Sequence, residues 1–149
     1  MALQQSVGAK IGVSATLSTT HDDDATTGFP SLTFTNIGRI NGYPDLDGTF
    51  DVTTFEDLET GEEIKFADIF RAGNGTFMVG LDEADAGQVI LEGNKGGKLA
   101  FAFTLKSGAV YYRNAILTSY RPTNINVGGV VMAELGLEFE KTTVKVAAS

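Results

Sequence analysis

Over most of its length the chain alternates apolar and polar residues at the two-residue period of strands, not the 3.6-residue period of helices. In "AKIGVSATL" (9–17), Ile11, Val13, Ala15 and Leu17 share one face. "SLTFTNIGRI" (31–40) sets Leu32, Phe34 and Asn36 opposite Thr33, Thr35 and Ile37, a threonine-rich run of high β propensity. "GTFDVTTFED" (48–57) puts Phe50, Val52 and Thr54 on one side, with Asp51, Thr53 and Phe55 on the other, and a short apolar strand follows at 76–81.

The later segments alternate more cleanly. In "KLAFAFTLK" (98–106), Leu99, Phe101, Phe103 and Leu105 form a bulky face, while Ala100, Ala102 and Thr104 form a small one suited to close packing. In "VVMAELGLEFE" (130–140), Val131, Ala133, Leu135, Leu137 and Phe139 point one way and Glu134, Glu138 and Glu140 the other. That pattern predicts a half-buried antiparallel strand with an acidic outer row. Between these runs lies "AVYYRNAILTSYRP", a strand expected to stop at Pro122 and joined to its predecessor by a hairpin turn at Gly108.

One helix interrupts the pattern. In "LDEADAGQVILEGN", Asp82 is the expected N-cap, and Glu83 and Asp85 fall in the first turn, where the helix dipole favours anions. Ala86, Val89 and Ile90 supply an apolar stripe, and Gly93 with Asn94 ends the helix. The sum is a mainly β domain spanning 1–149: a β-sandwich or barrel of seven or eight antiparallel strands with one short flanking α-helix. Glycine supports this, since 18 in 149 residues exceeds the usual share of about 7% and implies many turns.

Length and composition narrow the function. One domain of this size can bury a self-sufficient core. The absence of cysteine removes disulfides, thiol chemistry and cysteine-ligated metals. Neither a signal sequence nor a membrane-spanning apolar run is visible, so a soluble protein is expected, with no membrane insertion by this chain. The net charge of -8 opposes nucleic-acid binding driven by cation release, yet does not exclude a protein that sits close to DNA without holding it.

The sites for chemistry are few. The only histidine, His21, precedes Asp22, Asp23 and Asp24, but adjacent residues of an extended chain do not converge on a metal, and "DDDATTG" lacks calcium-loop spacing. A polar connector is the simpler account. No nucleophile elbow is present, and "GNKGG" follows a helix where a phosphate loop would precede one. No catalytic residue, metal or cofactor is therefore assigned, and an enzyme is not expected. The less ordinary feature is an excursion over 41–71, where Phe50, Phe55, Phe66 and Phe70 sit among acidic residues and turn-type sequence. Long excursions in compact domains are usually functional or disordered, and aromatics favour order against a partner.

The order of elements resembles the tail tube proteins of long-tailed bacteriophages, of the siphophage major tail protein type, and of related gene-transfer particles. The likeness runs from about residue 9 to 139. It is most specific from "TTGFPSLTFTNIGRINGYPDLDGTFDVTTFED" through "EIKFADIFRAGNGTFMVGLD", then "DEADAGQVILE" and the hairpin "KLAFAFTLKSGAVYYRNAILTSYRP". The turn "FRAGNG" departs from the proline–glycine often found there.

The resemblance implies a structural subunit of a virion or phage-like particle, made in the bacterial host cytoplasm. It implies six-membered rings stacked into a tube through which DNA passes without specific binding. Partners would be further copies of the chain and other tail proteins, such as terminator, tape measure and distal tail protein. On this reading Phe50, Phe55, Phe66 and Phe70 contact the neighbouring ring, and Glu134, Glu138, Glu140 and Asp51 face the channel, if strand parity holds. A reading from another class is a monomeric β-sandwich module that binds carbohydrate or a cell surface, with Tyr111, Tyr112 and Tyr120 as stacking platforms.

Overall fold

Strand pairing follows the alternation closely. The computed structural model describes residues 7–123, 125 and 127–147. Eight strands form: β1 (Lys10–Ser14), β2 (Thr35–Asn36), β3 (Thr49–Glu56), β4 (Glu63–Arg71), β5 (Asn74–Gly80), β6 (Lys98–Thr104), β7 (Val110–Thr123) and β8 (Met132–Val146). One helix, α1 (Ala86–Gly93), lies between β5 and β6. Six strands make one antiparallel sheet in the order β2-β1-β6-β7-β8-β5, while β3 and β4 make a separate two-stranded sheet. The large sheet curls into a half-barrel.

The concave side holds the core. Ile11, Val13, Leu99, Phe101, Phe103, Leu117, Leu135 and Leu137 are at most 1% exposed, each contributing about 1.5–3 kcal/mol on burial. Helix α1 closes one end of this space with Leu91. Two departures from expectation concern this helix. Its N-cap is Asp85, whose side chain accepts the Gln88 amide at 3.1 Å, and not Asp82. Asp82 instead accepts the Ala84 amide in the turn before the helix. The buried helical residues are Gly87, Gln88 and Leu91, whereas Val89 is 55% exposed. Of the expected stripe, Ile90 packs on the core, but the buried face centres on Gly87, Gln88 and Leu91 and leaves Val89 outward.

The convex side is partly covered as well, which the small face of β6 anticipates. Ala100 and Ala102 are buried, and Phe29 and Phe34 of the connector after β1 pack on Tyr112, the residue paired with Ala102. Phe29, fully buried, stacks on Tyr112 with centroids 5.3 Å apart, and His21 meets Phe29 edge-on at 5.3 Å. Most of 31–40 is therefore not strand. Its start is a 3-10 turn, Phe29–Ser31, and only Thr35–Asn36 pairs with β1. Gly28 permits this close approach, since an added Cβ would strike the Asp22 carbonyl.

Candidate assembly surfaces and the base of the arm

The excursion of 41–71 is a structured arm. β3 and β4 pair in register from Phe55↔Ile64 through Thr53↔Phe66 to Val52↔Ala67, then shift by a bulge before Phe50↔Phe70. Directly opposed residues share a face. Thr53, Phe55, Ile64 and Phe66 therefore lie on one side, and Phe50, Val52, Ala67 and Phe70 on the other. Phe50, Phe55 and Phe66 are 58%, 57% and 56% exposed, and Phe70 is half-buried edge-on to Phe50. An isolated two-stranded hairpin is marginal in water, so one with apolar residues on both faces calls for a covering surface.

The arm is also the most acidic part of the chain. Seven of the 19 acidic residues lie between 49 and 71, against two basic ones. Asp51 is among them: it sits at the bulge and accepts from Arg71 Nε at 2.8 Å. It thus belongs to the arm and not to the sheet that carries the glutamates.

The arm's base is built from groups that sequence reasoning overlooked. The Tyr43 hydroxyl bonds to the carbonyls of Lys10 and Thr104, and burial pushes its phenol up to about 12. Thr143 donates to the Leu46 carbonyl at 3.4 Å and lies 3.0 Å from Asp47 Oδ1. Arg113, 1% exposed, sits under both legs of the arm: its Nη atoms donate to the carbonyls of Asp45 (3.3 Å) and Ala72 (2.7 Å). Its guanidinium lies 3.9 Å from the Phe139 ring centroid. Burial lowers the Arg113 pKa, an effect that the Asp47 carboxylate opposes. The available signal was parity, because Arg113 and the core residues Ala115 and Leu117 fall on one face of "YYRNAIL".

The acidic row of β8 lies on the convex side, as its parity requires. Glu134 pairs with Arg121 at 2.9 Å and Glu140 with Lys98 at 3.0 Å. Glu138 accepts a longer bond from Asn74 at 3.4 Å and has no cation partner among the described residues. The row is therefore a charge ladder of three glutamates in which two are paired, with Arg121 and Lys98.

The cluster of His21, Asp22 and Asp24 makes structural bonds. His21 Nε2 lies 2.6 Å from the Thr142 carbonyl, which ties the connector to β8. The hydroxyl and amide of Thr26, with the Thr27 amide, hold the Asp24 carboxyl below the usual range. Asp22 accepts from Thr20 and from the Asp24 amide. These carboxylates serve local turns. The tyrosines do not form an exposed platform: Tyr120 is 4% exposed, Tyr112 lies against Phe29, and Lys145 sits 5.4 Å from the Tyr111 ring centroid.

No protein-family model and no curated protein matches the chain. The likeness is one of fold, and it is full-length. A chain of the anti-feeding prophage (AFP) baseplate, solved by cryo-EM with 6-fold symmetrisation, superposes with a TM-score of 0.67. It covers 100% of this chain and 99% of its own at 12% identity. A chain of the sheath/tube terminator of PVC, an extracellular contractile injection system, gives 0.63 at 12% identity over 99% of both. The AFP tube terminating cap gives 0.60 at 16% identity, covering 99% of this chain and 95% of its own. The fold is therefore one used by the tail components of contractile injection systems.

Proposed function

We propose that the chain is a non-enzymatic structural subunit of a contractile-type particle tail. It assembles into six-membered rings that form the tube or close its ends. The exposed apolar arm carries this reading: Phe55, Ile64 and Phe66 line one face of a two-stranded sheet with nothing over them in the single chain. The full-length likeness to baseplate, terminator and cap chains supports it and moves the expectation from long-tailed to contractile particles. In the ring, the arm packs on a neighbouring copy, and each buried phenylalanine contributes about 1.5–3 kcal/mol.

The β8 face is proposed to line the channel. Lys98 and Arg121 are held by Glu140 and Glu134, so a passing polyanion such as DNA meets those two cations already engaged. Other tail proteins then meet the ring's two ends. Electron microscopy of the purified protein over a concentration series tests the proposal. Rings or tubes are expected, and a chain that stays monomeric at high concentration would falsify it.

A further inference from the structure

A buried guanidinium is costly, and an apolar side chain of similar volume is often neutral or stabilising in its place. Arg113 is 1% exposed, touches no carboxylate within hydrogen-bond range, and its Nε has no hydrogen-bond partner among the described residues. Packing alone does not account for it. What arginine does here that leucine could not is fork. One Nη reaches the Asp45 carbonyl just before β3, and the other reaches the Ala72 carbonyl just after β4. The planar guanidinium fixes the angle between those two bonds, and Phe139 holds its plane at 3.9 Å.

The strand irregularity fits the same purpose. The β7–β8 register shifts between Tyr112 and Asn114, at Arg113 itself. Opposite it, Lys141 takes a left-handed backbone (φ 59°), and Thr143 bonds to Leu46 on the arm's first leg.

We infer that Arg113 is a positioning residue: it clamps both legs of the β3–β4 arm to the core and so sets the direction in which the arm leaves the body. The inference rests on the assembly reading for its use, but the clamp itself is testable without assembly. The chain has no cysteine, so spin labels at Glu59→Cys on the arm and Thr118→Cys on β7 report one distance cleanly. The labelled protein is diluted in unlabelled chain.

The parent should give one narrow distance distribution. Arg113→Met should lose that single narrow peak, and so should Arg113→Lys, which keeps the charge but cannot fork. Leu117→Ala, a core truncation that also lowers stability, should keep it. A narrow parent-like distribution in Arg113→Lys overturns the clamp, and this holds even if Arg113→Met fails to fold. Broadening in Leu117→Ala overturns it too, since general destabilisation would then suffice. Rings that form normally with a broadened arm refute the assembly role and leave the clamp standing.

Discussion

The Tyr120 hydroxyl donates to Gln88 Oε1 at 2.8 Å, and this bond completes a buried amide that joins four parts of the chain. The same oxygen accepts the Asp82 amide at 3.0 Å, while Nε2 donates to the carbonyls of Gly38 (3.2 Å) and Gly80 (3.0 Å). Gln88 is 1% exposed and Tyr120 4%, so their bond is shut off from water, while the other three bonds are part-buried. Each buried group left unpaired costs about 1–3 kcal/mol. Tyr120→Phe removes one partner and should cost about 1 kcal/mol. Gln88→Leu removes the partner of four groups at once, one of them buried and three part-buried, and should cost more. Urea denaturation of both variants checks the order, and equal losses would show that Gln88 merely fills space.

Alkaline stability follows from the tyrosines. Burial raises the Tyr43 phenol from 10.0 to about 12, and it also raises Tyr112 and Tyr120. The folded state holds these protons more tightly than the unfolded chain does. Their contribution is therefore fully present below pH 10.0 and is lost as pH rises towards about 12. Urea midpoints should decline across that window. Tyr43→Phe should be less stable at neutral pH, having lost its bonds to Lys10 and Thr104, but should decline less steeply. A parallel decline in the variant would remove Tyr43 as a source.

Phe29 tests whether the connector after β1 belongs to the fold. It is fully buried between His21 and Tyr112, so Phe29→Ala should cost about 3–5 kcal/mol, as large aromatic truncations do in cores. Hydrogen exchange should quicken at Leu32 and Thr20, whose amides bond within the connector. A loss below about 1 kcal/mol would mean that the second layer is only loosely applied.

The contrast between β6 and the connector explains what could be read from sequence. Side chains at a two-residue period reveal themselves wherever one face is buried, so β6, β7 and β8 and the outward aim of Glu134, Glu138 and Glu140 were legible. The segment from Phe29 to Asn36 alternates just as well, yet most of it packs as irregular chain on Tyr112. Alternation says which residues share a face if the chain is extended; it does not say what the face meets. The cap lies at Asp85 and not Asp82 for a similar reason, because both are aspartates in a plausible first turn and only Asp85 also accepts the amide of distant Gly38. Arg113 and Gln88 escaped notice because polar residues count against burial until their partners, all from distant segments, are known.

The arm separates assembly from folding. Phe55 and Phe66 are more than half exposed, so Phe55→Ser and Phe66→Ser should each change monomer stability by less than about 0.5 kcal/mol, as surface substitutions usually do. If the arm packs on a neighbour, each should weaken assembly by about 1.5–3 kcal/mol, roughly a tenfold to hundredfold rise in the assembly threshold. Sedimentation against concentration reads the threshold, and chemical denaturation reads the fold. Loss of stability without loss of assembly would place these rings in the monomer's own core.

The charge ladder on β8 gives the last test. Arg121 and Glu134 are well exposed, with side chains 69% and 37% accessible, so their bridge contributes at most about 1 kcal/mol. Glu138 has no cation partner among the described residues. The double reversal Glu134→Lys, Glu138→Lys should therefore leave folding and ring formation nearly intact, because neither carboxylate is in the core. It would, however, free Arg121 and add two lysines beside it, three more available cations than the parent face carries. On a channel wall, such a face would hold phosphates, with a strength falling steeply as salt rises. Passage of DNA through tubes of the variant should slow at low salt and recover at high salt. Unchanged passage with intact tubes would mean that the β8 face points away from the channel, and the acidic row would then be only the wet side of the sheet.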